Sequence, residues 1–130
     1  AAGLAAMEAY TAEEAERIND LAADIVARSR ETFDDHGIAA ELTHYGSLFN
    51  VYLTDGPVEN YRDAHASHHG LEERLYFELL EEGIRTAPKL MGCTSTAMDE
   101  AEADAFVEGL DAALGRLRPA VEAHAPDLIR

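Results

Sequence analysis

The chain has 130 residues, enough for one compact domain with a single core and too few for two. Hydrophobic residues make up 47%, which excludes wholesale disorder, and no apolar run is long enough to span a bilayer. Acidic residues number 26 against 10 basic ones, a net charge of −16, so nucleic-acid backbones and anionic membranes are poor partners.

All of the basic residues except Lys89 are arginine. An acidic, lysine-poor, alanine-rich composition points to a halophilic source, where carboxylates keep a protein dissolved at high salt. The single cysteine, Cys93, excludes an internal disulfide framework and favours a cytoplasmic origin; it is expected as a small buried apolar residue. Ala1–Met7 carries no positive n-region and no initiator methionine. It reads as the inside of a helix, so the chain is expected to be cut from a longer protein.

In chain order, residues 2–9 read as the last turns of a helix. Thr11-Ala12-Glu13-Glu14 forms a capping box that opens the next one. Ile18, Leu21, Ala22, Ile25, Ser29 and Phe33 recur at three- and four-residue spacing, which predicts one apolar helix face ending near His36, with Gly37 as its C-terminal cap. Residues 38–44 and 47–53 read as two strands joined at Tyr45-Gly46. Phe49, Val51 and Leu53 alternate with Asn50 and Tyr52 in the second, which then stops at Asp55-Gly56-Pro57. Large polar-tipped residues on the far face, rather than a string of charges, suggest a surface covered by something outside the chain.

Asp63 is expected to cap a helix with Leu71, Leu75, Tyr76, Leu79 and Leu80 as its buried stripe and Gly83 as its end. Residues 84–87 and 92–96 read as short strands around a loop, Pro88-Lys89-Leu90-Met91. Asp99 with Glu102 makes a second capping pattern. The last helix carries Phe106, Leu110, Ala113, Leu114, Leu117 and Val121 inward, and Pro119 is expected to kink or restart it. The order α-β-β-α-β-β-α, with short strands, predicts an α+β two-layer sandwich: a small, mostly antiparallel sheet with helices on one face.

Little in this pattern carries chemistry. His65 and His69, four apart, could share a zinc ion, but a third ligand on the same face is hard to find, and they are expected as exposed helical histidines. No G-x-S-x-G nucleophile motif occurs, and Gly46-Ser47 does not open a helix as a phosphate cradle must. The carboxylate pairs on the helices face outward by periodicity. Lys89 is the only side-chain amine, in a loop with no apolar pocket to depress its pKa. Catalytic, cofactor-binding and metal residues are therefore expected to be absent.

Several segments taken together carry a family resemblance. They are Ala1–Met7; Gly46-Ser47-Leu48-Phe49 with Thr54-Asp55; Asn60-Tyr61-Arg62-Asp63; Leu79-Leu80-Glu81-Glu82-Gly83-Ile84; Ala87-Pro88; and Thr94-Ser95. In this order the chain resembles, over nearly its full length, the C-terminal domain of class III pyridoxal-phosphate-dependent aminotransferases, nearest to the glutamate-1-semialdehyde aminomutase-like branch. The resemblance implies that residues 1–130 form the C-terminal small domain of a fold type I enzyme. The cofactor lysine, the aspartate on the pyridine nitrogen and most of the phosphate site would lie in a large domain absent from this chain.

It further implies a homodimeric parent acting on a small-molecule amino donor and acceptor, with pyridoxal phosphate bound by the parent and not by this fragment, which alone would be inactive. The loop after Ala87-Pro88 would approach the active-site mouth, with Lys89 or the backbone of Met91 and Gly92 near a substrate carboxylate. The aminomutases carry Phe-Glu-Ala-Gly there; this loop is two residues shorter and lacks the glutamate, which leaves aminomutase and transaminase both open. The alternative is a free-standing α+β interaction or ligand-sensing module without catalysis.

Overall fold

A computed structural model describes residues 1–130. Helix α1 (Ala2–Ala9) buries none of its residues. Thr11 then caps α2 (Ala12–Asp35), its hydroxyl accepting from the Glu14 N–H at 3.2 Å. The capping box is half made, because the Glu14 carboxylate pairs with Arg17 at 3.0 Å instead of reaching back. Ile18, Leu21, Ala22, Ile25, Ser29 and Phe33 are all buried along α2, and Gly37, at φ +60°, turns the chain out of it.

Strands β1 (Glu41–Tyr45) and β2 (Leu48–Tyr52) form an antiparallel hairpin, with Gly46 at φ +58° in the turn. The register pairs Leu42 with Val51 and Thr43 with Asn50. Since side chains alternate across a strand, Leu42, Phe49 and Val51 face the helices while Thr43, Tyr45, Leu48 and Asn50 face away.

Asn60, not Asp63, caps the next helix. Its side-chain oxygen accepts from the N–H groups of Arg62 and Asp63, and its amide donates to the Asp63 carboxylate at 2.8 Å. The single helix expected here is two. Short α3 (Tyr61–His65) stops where the Ser67 hydroxyl donates to the Ala64 carbonyl, and the His68 N–H donates to the Leu53 carbonyl at 3.0 Å. That second bond ties the break to the end of β2. Helix α4 (His69–Glu81) follows and buries Leu71, Leu75 and Leu79; Tyr76 is half-buried and Leu80 is 37% exposed, so the stripe is narrower than the periodicity suggested.

Residues 84–87 form no strand. Gly83 (φ +77°) directs the chain across the helix layer, and Ile84 plugs a gap over Gly109, where an added Cβ would lie 2.3 Å from the Ile84 Cδ1. The second expected strand shrinks to β3 (Gly92–Cys93), antiparallel to β2 in the order β1-β2-β3. Its register places Cys93 opposite Leu48, on the outward side, so Cys93 is exposed rather than buried.

Helix α5 (Glu100–His124) opens with a complete Asp99–Glu102 capping box and runs unbroken through Pro119. Proline forfeits one backbone bond, but Leu117, Ala120 and Val121 are buried on both sides of it, and packing holds the helix together. The α+β expectation is met as one antiparallel three-stranded sheet with helices on one face. The core of 23 buried residues lies between them.

Arginines stitch the helices together. Arg28 bridges Asp24 on α2 to Asp104 on α5, the latter at 2.8 Å. Arg116 on α5 meets Glu78 at 2.6 Å and Glu82 at 2.7 Å. Hydrogen bonding to Asp104 for the first, and to Glu78 for the second, raises both guanidinium pKa values further above their usual range. These bridges use the few cations of an acidic chain where two elements meet.

Candidate functional site

The loop singled out by the sequence is a tight structure. The Ala87 N–H donates to the Met91 carbonyl at 2.8 Å, and the Leu90 N–H to the Ala87 carbonyl at 2.9 Å. Leu90 holds a left-handed backbone at φ +60°, an uncommon state for a non-glycine residue. Its side chain is buried and compensates by anchoring the loop in the core.

The anchor splits the three predicted residues. Lys89 is exposed and lines a depression of about 450 Å³ against α4, together with His69, Glu72, Glu73 and Tyr76. Met91, 48% exposed, lies outside that depression. Gly92 belongs to β3 and packs against the Phe49 ring. The structure therefore does not gather Lys89, Met91 and Gly92 into one site.

Lys89 has no ion-pair partner. Its nearest wall carries carboxylates, which suit a cation and would repel a phosphate. The residues present do not fit a pyridoxal-phosphate site: the one amine is solvated, and the depression beside it is acidic.

The two histidines expected on one helix are both exposed. His65 and His69 fall on different helices, with ring centroids 5.5 Å apart, and His65 stacks on Tyr61 at 5.8 Å. No group of three metal-ligating side chains occurs.

Sequence reasoning missed Glu72. It was read among outward carboxylates, yet it is 3% exposed. One oxygen accepts from the Leu53 N–H at 3.2 Å and the other meets His69 Nδ1 at 2.9 Å. The signal was its place beside Leu71 and Leu75 at helical spacing.

Two surfaces lack intramolecular cover. Outside the sheet, Tyr45 is 90% and Leu48 51% exposed, with half-buried Asn50 and Tyr52 joined by a 3.0 Å hydrogen bond. On α1, Leu4 and Met7 are exposed.

No family model matches the chain. An omega-transaminase from Sphaerobacter thermophilus superposes with a TM-score of 0.85 at 35% identity, over 90% of this chain and 27% of that one. A transaminase solved with PLP bound gives a TM-score of 0.78 at 28% identity, over 91% of this chain and 27% of the other. Glutamate-1-semialdehyde 2,1-aminomutase 2 of Staphylococcus haemolyticus is 26% identical over 117 residues, 88% of this chain and 27% of the relative. The chain thus spans about a quarter of the length of the relatives it matches. In sequence and in fold it corresponds to the C-terminal region, about 27% of the length, of class III aminotransferase and glutamate-1-semialdehyde aminomutase family proteins.

Proposed function

We propose that residues 1–130 act as the C-terminal small domain of a pyridoxal-phosphate-dependent aminotransferase or aminomutase, and that the chain alone is inactive. The observation that carries this reading is the omega-transaminase match, which takes in 90% of this chain and only 27% of its partner. It is supported by the poor fit of the chain's own residues to the cofactor: a solvated Lys89 beside an acidic depression. In this reading the cofactor, the amino donor and acceptor, and the dimer belong to a whole enzyme that works in the cytoplasm of a salt-adapted cell, a reading supported by the single cysteine and the −16 net charge.

Under this reading the outer sheet face, with Tyr45, Leu48, Asn50 and Tyr52, docks the large domain, and the exposed apolar side of α1 continues that contact. Lys89, or else the backbone of Met91 and Gly92, lies toward the substrate's carboxylate in the assembled enzyme. Lys89 is available for that role because it forms no ion pair within its own chain.

The test has two arms. The isolated chain, titrated with pyridoxal phosphate, is expected to show none of the visible absorbance of a bound cofactor; saturable binding would refute the reading. In the whole enzyme, Lys89→Met is expected to raise KM for a carboxylate-bearing acceptor about tenfold while kcat for a simple amine donor holds. Unchanged kinetics would remove Lys89 from the site.

A further inference from the structure

A second cavity, of about 260 Å³, lies between the helix layer and the β3 edge of the sheet. Its walls are apolar, with Leu21 and Ile25 from α2, Phe49 from β2, and Met98 and Phe106 on the α5 side. Phe49 and Phe106 meet edge-to-face at 5.5 Å, which fixes an aromatic corner. The volume falls just below the usual range for ligand pockets, about 300–1,000 Å³, so the cavity suits a small molecule.

The polar groups around it are nearly all engaged. The Thr94 hydroxyl donates to the Ile18 carbonyl at 2.6 Å, and the Thr86 hydroxyl to the Ala87 carbonyl at 3.0 Å. Glu102 accepts from the Asp99 N–H at 2.8 Å in the α5 capping box. The exception is Arg85. Arg17, Arg28, Arg74, Arg116, Arg118 and Arg130 each pair with a carboxylate, and Arg30 donates to the Leu42 carbonyl. Of the nine arginines only Arg62, outside the cavity, and Arg85 have neither an ion pair nor a side-chain hydrogen bond, in a chain with 26 acidic residues. Arg85 is thus a free guanidinium at the rim of an apolar cavity, next to one carboxylate that is already committed.

We propose that this cavity binds a small monocarboxylate with a compact apolar body, such as an aryl or branched-alkyl acid. The apolar body packs against Phe49, Phe106 and Met98, and the carboxylate takes the two-pronged bond that a planar guanidinium offers. A second polar group on the ligand finds no free side-chain partner among Thr86, Thr94 and Glu102, which are already engaged. The proposal does not depend on the aminotransferase reading, whose substrate residue, Lys89, lies in a different depression.

The Cys93 thiol points to the outer face of the sheet, so binding is read from the aromatic and methionine side chains of the walls. The probe is phenylacetate, with phenylacetamide as its uncharged isostere. Phenylacetate is expected to shift the NMR signals of Phe49, Phe106 and the Met98 methyl saturably. Phenylacetamide is expected to bind about tenfold more weakly. Arg85→Gln should abolish that difference without changing the melting temperature, Ala105→Leu should block both probes at the mouth, and Lys89→Met should leave binding unchanged. Equal binding of the two probes, full phenylacetate binding by Arg85→Gln, loss of binding in Lys89→Met, or no saturable shift would each overturn the proposal.

Discussion

Removing the Glu72 carboxylate should cost this chain far more than removing any other glutamate on its helices. Glu72 is 3% exposed and is the acceptor for the N–H of Leu53, a residue with no exposed surface. In Glu72→Ala that N–H is stranded where water does not replace the lost partner, a cost of about 1–3 kcal/mol. The lost side chain also leaves a gap beside Leu71 and Leu75, worth about another 1 kcal/mol. The expected total is about 2–4 kcal/mol. Glu72→Gln keeps an acceptor of the same shape for Leu53 and loses only the charge facing His69, which is partly solvated, so it should cost about 1 kcal/mol or less.

Urea unfolding followed by far-UV circular dichroism reads both values, and amide exchange at Leu53 should accelerate selectively in Glu72→Ala. If Glu72→Ala unfolds within about 0.5 kcal/mol of the parent chain with an unchanged slope, the buried pin does not exist and the argument fails.

Three further outcomes follow from the same physics. Gly92→Ala would set a Cβ 2.3 Å from the Phe49 ring, so thermal melts should show a loss of about 1–3 kcal/mol and near-UV spectra a disturbed aromatic pair. Asn60→Ala removes the acceptor for two N–H groups at the start of α3 and should cost about 1 kcal/mol, with faster proteolysis in residues 56–66 as the local readout. Raising sodium chloride to molar levels should raise the melting temperature: screening relieves the repulsion of a −16 net charge, while the exposed arginine bridges it weakens contribute little. A falling melting temperature would mean that the bridges dominate.

Local patterns settled much of this structure in advance. The buried face of α2, the Asp99–Glu102 box, the left-handed glycines 37, 46 and 83 and the inward Phe49 and Val51 all follow from spacing and backbone freedom, which act over a few residues. The family resemblance was legible in the same way, from short segments in a fixed order, and the comparisons agree with it. The separation of Lys89 from Met91 and Gly92 was not legible. Buried Leu90 separates them, and nothing in a four-residue loop announces which side chain will turn inward.

The sequence by itself determined the α+β class, the acidic surface and the strand-and-stop of residues 46–57, because composition and periodicity are properties of neighbours along the chain. Tertiary structure decided the rest. Residues 84–87 form no strand because Ile84 has a gap to fill over Gly109. Cys93 points outward because its partner in the ladder is Leu48. Glu72 turns inward because Leu53, nineteen positions earlier, presents an N–H that needs an acceptor. Each outcome is fixed by a partner distant in sequence, and of the three only Glu72 had a local trace, its place beside Leu71 and Leu75 at helical spacing.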